Sequence, residues 1–108
     1  TTSPLVIDTV IRGHIGFDGL LMSDDLSMEA LSGTLGERAR ESLSAGCDLV
    51  LHCNGKMEEM VAIAPEVPIL SGDALRRSEQ AISLRKSSLV PLDIDLALRQ
   101  FSALTAVS

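Results

Sequence analysis

Residues 16–28 are GFDGLLMSDDLSM, a turn with glycines, a short apolar run and then two adjacent carboxylates. The run Leu20-Leu21-Met22 has no polar alternation, which is typical of a strand buried on both faces of a parallel sheet. Asp24 and Asp25 follow where such a strand ends, and in α/β folds catalytic side chains collect at the carboxyl ends of parallel strands. Neighbouring side chains on an extended backbone point to opposite sides. We therefore expect one carboxylate to face a reacting centre and the other to cap the next turn.

The composition indicates an aliphatic core and excludes some classes of partner. The chain has 108 residues, 45% of them apolar, with a mean hydropathy of +0.27, two Phe and no Tyr or Trp, so the core should be aliphatic. The formal net charge of −6 argues against nucleic acid and anionic membrane surfaces as partners, because phosphate binding needs a cationic face. No apolar run approaches the ~20 residues that cross a bilayer, and residues 1–4 show no leader-like segment.

The two cysteines, Cys47 and Cys53, flank a predicted strand. At ~3.3 Å per residue they would lie roughly 20 Å apart, which is too far for a disulfide. We expect buried thiols in a reducing compartment, which indicates the cytoplasm. His52 beside Cys53 is a weak zinc signal, since no second pair of ligands accompanies it. The expectation is therefore no metal and no cofactor.

Helix and strand signals alternate along the chain. Ser3 and Pro4 are predicted as N-cap and first residue of a helix that Gly13 ends. The elements predicted after it are a strand within 16–24, a helix over 36–45, a strand over 48–53, a short helix over 57–64, a longer helix from 71–73 to about 87, and a last helix after 91–93. Two parallel strands cannot complete a sheet. The sequence therefore predicts the α/β class and the back end of a larger architecture.

Three stretches resemble a known family. Residues 15–28, IGFDGLLMSDDLSM, resemble the nucleophile strand of glycoside hydrolase family 3, in particular its bacterial cytoplasmic β-N-acetylglucosaminidases of peptidoglycan recycling. Residues 45–55, AGCDLVLHCNG, resemble the next barrel strand, and residues 70–78, LSGDALRRS, resemble the C-terminal helical region. The resemblance implies the C-terminal portion of a (β/α)8 TIM barrel, with the last two strand–helix units in residues 1–64 and C-terminal helices in residues 65–108.

The resemblance also implies a chemistry. The family uses a retaining mechanism in which a strand-end Asp attacks the anomeric carbon, and the matching position is Asp24. A second group must protonate the leaving oxygen and later activate water; in this subfamily it is a His on a loop that precedes the nucleophile strand, and no such segment lies within these residues. The implied activity of the full-length parent is hydrolysis of terminal β-linked N-acetylglucosamine from peptidoglycan fragments. The implied partners are N-acetylglucosaminyl muropeptides and the remainder of the barrel, and the fragment alone should be inactive.

The other singled-out residues have structural alternatives. Asp25 is expected to act as a cap or as a partner for an Arg. Met28 and His52 are candidate substrate-binding residues near the two strand ends, although a Met there more often fills the core. A basic cluster on one predicted helix should be a solvated face or pair with the excess carboxylates. The members of this cluster are Arg76, Arg77, Arg85 and Lys86.

Two other functions remain possible from the residues alone. A receiver-like signalling domain would use Asp24 and Asp25 as its acidic pair. Against it, the intervening strand is missing, and His52-Cys53 stand where the phosphoacceptor Asp is required. A non-catalytic helical interaction module would explain the last three helices but not the strand that carries the carboxylates.

Overall fold

The computed structural model describes residues 3–85 and 91–106. Its elements are an N-terminal helix Val6–His14, β1 Met22–Asp25, α1 Leu35–Ser44, β2 Leu49–Leu51, α2 Met57–Ile63 with a 3-10 turn Ala64–Glu66, α3 Gly72–Ser83 and α4 Ile94–Thr105. The mixed α/β class predicted from the sequence is confirmed. Within these described ranges, no helix combines the length and the apolarity that crossing a membrane requires.

The N-terminal helix departs from its predicted end. Ser3 Oγ accepts a hydrogen bond from the backbone N–H of Val6 at 3.4 Å, as expected of a capping residue. The helix then continues past Gly13 to His14 with π-type winding, and the N–H of Ile15 donates to the carbonyl of Val10 at 2.8 Å. The residue that turns the chain away is Gly16, whose φ of 71° suits a residue without Cβ.

Strands β1 and β2 form a two-stranded parallel sheet, with Met22 opposite Leu49 and Asp25 opposite Leu51. The parallel arrangement agrees with the expectation, but burial on both faces is wrong for this part of the chain. Met22 is 46% exposed, whereas Ser23 is buried and the residues of β2 are half-buried. The described helices cover these two strands only partly, so a continuous apolar run does not ensure burial.

In the part of the chain that the structure describes, two small clusters of mainly aliphatic residues form the core, as the composition predicted. The first contains Ile7, Ala45 and Cys47, with Ile11 and Leu21 packed against it. The second contains Leu26, Ala39 and Ile63, with Leu35 and Val50 against it. The first cluster fixes the N-terminal helix to the turn before β2, and the second fixes α1 and α2 to the loop after β1.

The two thiols have different environments. Cys47 is buried, as predicted, and burial raises the pKa of its thiol. Cys53 is exposed, so the prediction of a buried thiol is wrong there. The reason is that β2 ends at Leu51, earlier than predicted, and Cys53 lies in the loop beyond it.

Helix α1 begins one residue earlier than its apolar pattern indicates, because its N-terminus is capped. Thr34 and Glu37 form a capping box in which the Thr34 side chain accepts from the Glu37 N–H at 3.3 Å, and the Glu37 carboxylate accepts from the Thr34 N–H at 2.8 Å. These bonds satisfy donors at the helix end that have no intrahelical partner. The helix therefore starts at Leu35 rather than at Gly36.

A buried carboxylate, Asp48, joins four parts of the chain. Its Oδ2 accepts from Arg12 Nη2 and from the backbone N–H of Leu21, both at 2.8 Å, and its Oδ1 accepts from Arg77 Nη1 at 3.0 Å. The Asp48 side chain is 5% exposed, and those of Arg12 and Arg77 are 16% and 15% exposed. The N-terminal helix, the start of β1, the start of β2 and α3 thus meet at one ionic cluster.

A second carboxylate, Asp18, extends this cluster to the surface. It accepts from Arg76 Nη2 and Arg77 Nη2, both at 2.9 Å, and the Arg76 hydrogen bond is the main reason that the pKa of Asp18 is lowered. The prediction that the basic cluster pairs with carboxylates therefore holds for Arg76 and Arg77. Residue 86 and the predicted helix end near 87 lie outside the described residues, and α3 itself ends at Ser83.

Replacing Asp48 by Ala should lower the free energy of unfolding by about 3–5 kcal/mol, because two partly buried guanidinium groups lose their counter-charge. Asp73→Ala is the matched control, since the exposed Asp73 carboxylate pairs with Arg76 at 3.2 Å and more distantly with Arg77 at 4.0 Å, both at the surface of α3. Its loss should stay within about 1 kcal/mol. Denaturant unfolding measures both changes, and equal losses would contradict the central role of Asp48.

Candidate active site at the strand ends

The carboxyl ends of β1 and β2 lie side by side, so residues far apart in sequence meet at one edge. The backbone N–H of Leu26 donates to the carbonyl of Leu51 at 2.9 Å. The backbone N–H of Cys53 donates to Asp25 Oδ1 at 3.2 Å. The two stretches that the sequence placed at strand ends are therefore brought together, with Asp24 and Asp25 on one strand and His52 following the other.

Asp24 presents its carboxylate at the surface of this edge. The residue is exposed, and Oδ1 accepts a hydrogen bond from the backbone N–H of Asp25 at 2.8 Å. Within residues 3–85 and 91–106, its carboxylate has no other hydrogen bond or ion pair. Ser23, next to it, does not orient this carboxylate: Ser23 Oγ donates to the Asp24 carbonyl at 2.8 Å and accepts from the Leu51 N–H at 3.0 Å. The second carboxylate oxygen of Asp24, Oδ2, therefore has no protein partner among the described residues.

Asp25 is occupied by its own neighbourhood. Its Oδ1 accepts from the Ser27 N–H at 3.0 Å and its Oδ2 accepts from the Ser27 hydroxyl, in addition to the bond from Cys53. The Ser27 hydroxyl, followed by the Ser27 N–H, is the chief cause of the lowered pKa of Asp25. These contacts cap the turn after β1 and tie it to the end of β2. The expected cap is present, and its partners are Ser27 and Cys53 rather than an Arg.

His52 lies behind the edge, between two carboxylates. Its side chain is 9% exposed, with Nε2 at 3.1 Å from Glu59 Oε2 and Nδ1 at 3.9 Å from Asp25 Oδ1. In the described part of the chain, neither ring nitrogen makes an aligned hydrogen bond. The structure therefore places His52 beside the candidate site, with its ring directed at protein carboxylates.

Glu59 was missed by the sequence reasoning. Glu59 lies in the first turn of α2, on the side that contacts His52. Its carboxylate also accepts hydrogen bonds from Asn54 Nδ2 at 2.6 Å and from Lys56 Nζ at 3.2 Å. The Asn54 bond is the largest cause of its lowered pKa. The close spacing of Asn54, Lys56 and Glu59 in the sequence is compatible with their mutual contacts. Nothing in the sequence indicates that Glu59 contacts His52.

Met28 is 42% exposed in the loop after β1, so its side chain is open to solvent. The loop is held by Arg38, which the sequence reasoning also missed. Arg38 Nη1 donates to the carbonyls of Leu26 at 2.8 Å and Met28 at 3.1 Å, and Nε donates to that of Gly33 at 3.0 Å. A basic residue on a helix carries no sequence signal for such backbone contacts.

The carboxylates at this edge are spread along the strands rather than grouped around a point. Among the residues that the structure describes, no three or more His, Cys, Asp or Glu side chains are arranged to hold a metal ion. The side chains of Asp25 and Glu59 already accept hydrogen bonds from protein donors. Of these three carboxylates, that of Asp24 accepts the fewest hydrogen bonds from the described residues.

Comparison with known proteins supplies the class. Residues 1–83 match the family model described as "Glycosyl hydrolase family 3 N terminal domain". The chain belongs to glycosyl hydrolase family 3, whose N-terminal domain is of the TIM-barrel type. The resemblance seen in the strand that carries Asp24 is thereby confirmed.

Individual relatives agree with the family. The chain is 42% identical over 76 residues to a β-hexosaminidase of Vibrio cholerae serotype O1, which covers 66% of this chain and 23% of the relative. It is 48% identical over 52 residues to a β-hexosaminidase of Tolumonas auensis, covering 46% and 16%, and 50% identical over 50 residues to one of Bordetella avium, covering 44% and 14%. The chain spans less than a quarter of the length of these curated relatives.

Ser27→Ala should raise the pKa of Asp25 towards its ordinary value, because it removes the hydroxyl that contributes most to lowering it. The lowered pKa stabilises the fold above the unfolded-state pKa, and this stability is lost as pH falls through the folded-state pKa. The variant should therefore be less stable at neutral pH and lose less stability on acidification. Carboxyl NMR titration and unfolding at several pH values measure this.

Ser32→Ala is the matched control, since Ser32 is an exposed residue of the same loop whose backbone carbonyl, not its side chain, contacts Arg38. It should leave the titration of Asp25 unchanged. A titration of Asp25 that is the same in Ser27→Ala and the unaltered protein would show that the hydroxyl does not hold the carboxylate.

Proposed function

We propose that these residues belong to a retaining β-N-acetylglucosaminidase that removes terminal β-linked N-acetylglucosamine from peptidoglycan fragments. The observation that carries the proposal is the contrast between Asp24 and Asp25. Among the described residues, the exposed Asp24 carboxylate accepts one local hydrogen bond, whereas the Asp25 carboxylate accepts hydrogen bonds from Ser27 and Cys53. Membership of glycosyl hydrolase family 3 supports the hydrolase class over the receiver-like and helical-module alternatives, and the matched residues, 1–83, include the carboxylate strand.

In this mechanism Asp24 is the nucleophile. One carboxylate oxygen attacks the anomeric carbon and forms a glycosyl ester, while an acid outside this chain protonates the leaving glycosidic oxygen. Water activated by the same group then attacks the anomeric carbon and releases Asp24 as a carboxylate. The Asp25 N–H holds Asp24 Oδ1 and so limits the directions from which the other oxygen, Oδ2, can attack.

The rest of the site must come from other parts of a longer protein. We propose that residues 1–64 are the last two strand–helix units of a TIM barrel, that residues 65–108 are C-terminal helices, and that the isolated chain is inactive. Exposed apolar side chains support this: Met22 on β1 and Phe101 on α4 are 46% and 65% exposed, as expected of surfaces covered by missing elements. We keep the cytoplasm as the proposed compartment, N-acetylglucosaminyl muropeptides as substrates and Met28 as a sugar contact.

Asp24→Ala in the full-length protein should abolish hydrolysis of a chromogenic N-acetylglucosaminide, a loss of about 10³-fold or more in kcat, because no covalent intermediate can form. Glu29→Ala is the matched control: Glu29 is an exposed carboxylate just after Met28, and its removal should leave kcat unchanged. A slow fluorinated substrate should label Asp24 in the unaltered protein.

Two results would overturn the proposal. Undiminished turnover by Asp24→Ala would remove it from the mechanism. A covalent label on another residue would transfer the nucleophilic role to that residue.

A further inference from the structure

His52 is an unusual residue at this edge because it is nine-tenths buried yet polar. Its ring nitrogens face carboxylates on opposite sides, Glu59 at 3.1 Å and Asp25 at 3.9 Å, and neither makes an aligned hydrogen bond within the described residues. Buried polar groups normally have a partner. The Glu59 and Asp25 carboxylates lie on either side of this ring, so His52 lies between α2 and the turn after β1.

The contacts continue from His52 to Asp24. The Asp25 carboxylate that faces the ring also holds Ser27 and the Cys53 N–H, at 3.0 Å and 3.2 Å from Oδ1. The backbone N–H of Asp25 then donates to Asp24 Oδ1 at 2.8 Å. A shift of the Asp25 side chain would therefore move the peptide that orients the Asp24 carboxylate.

Glu59 completes the arrangement from the other side. Asn54 and Lys56 hold its carboxylate at 2.6 Å and 3.2 Å, so the charge that faces His52 Nε2 is fixed in place. The side chain of Glu59 is 21% exposed, and solvent therefore screens this contact less than it would a surface pair.

We propose that His52 is a positioning residue for Asp24, acting through Asp25 and supported by Glu59, rather than a residue that touches the sugar. This inference rests on the proposed nucleophilic role of Asp24. The His52 ring has little exposed surface that a sugar could contact. Its nitrogens instead lie 3.1 Å from the Glu59 carboxylate and 3.9 Å from the Asp25 carboxylate. Misplacement of a reacting group by about 1 Å can cost orders of magnitude in rate, so a small shift at Asp25 is sufficient to matter.

The test uses the full-length protein with His52→Phe, Glu59→Gln and the double variant. Glu58→Gln is the matched control, because Glu58 is an exposed carboxylate one residue away on α2. The measurements are kcat and KM on a chromogenic N-acetylglucosaminide, the rate at which a fluorinated slow substrate labels Asp24, and the melting temperature of each variant.

Each single variant should lower kcat and the labelling rate about tenfold with KM changed less than about twofold, the pattern of a lost transition-state alignment. The double variant should be no worse than either single one by more than about threefold, since the two side chains act as one unit. Glu58→Gln should match the unaltered protein. Glu59→Gln keeps the size of the side chain, so it decides the question if His52→Phe does not fold.

Three results would overturn the positioning role. A raised KM with unchanged kcat would make His52 a sugar contact. Multiplicative losses in the double variant would separate His52 from Glu59. Unchanged kcat in both single variants, beside an inactive Asp24→Ala, would remove the positioning role while leaving the proposed function intact. Full activity of Asp24→Ala would instead overturn the proposed function, and the inference with it.

Discussion

The structure depends on one buried negative charge. Asp48 lies at the start of β2 and accepts hydrogen bonds from Arg12, from the Leu21 N–H and from Arg77. A carboxylate without these donors would be costly in so protected a place, so the N-terminal helix and α3 are both required beside the strands. The two strands are thereby aligned from their amino ends, and their carboxyl ends are left free to carry polar side chains.

The candidate site follows from that alignment. Asp24 and Asp25 are adjacent in sequence and chemically identical, yet the fold gives their carboxylates different surroundings. The Asp25 carboxylate faces the partner strand and accepts hydrogen bonds from Ser27 and Cys53. Among the described residues, the exposed Asp24 carboxylate accepts a hydrogen bond only at Oδ1. The difference comes from the alternation of an extended backbone combined with the register that sets β2 beside β1.

The sequence predicted what depends on local pattern. The order of helices and strands, the aliphatic core and the meeting of the two strand ends are all consequences of periodicity and of parallel pairing. Helix boundaries that depend on capping differ from the predicted ones. The left-handed residue after the N-terminal helix is Gly16 and not Gly13, and the Thr34 cap starts α1 earlier than predicted. The contacts of His52 with Glu59 could not be predicted, because they depend on how α2 is rotated against the end of β2, which no local pattern specifies.

The graded exposure of the ionic cluster has a consequence for solution behaviour. Asp48 is shielded from water, while the Asp18 side chain that shares Arg77 is 64% exposed. Mobile ions at a Debye length of about 10 Å in 0.1 M salt screen open charges far more than enclosed ones. Rising ionic strength would therefore weaken the contacts of α3 with Asp18 while its contact with Asp48 persists. The fold would be the same at high and low salt, but α3 would be held to the rest of the chain by fewer ion pairs at high salt.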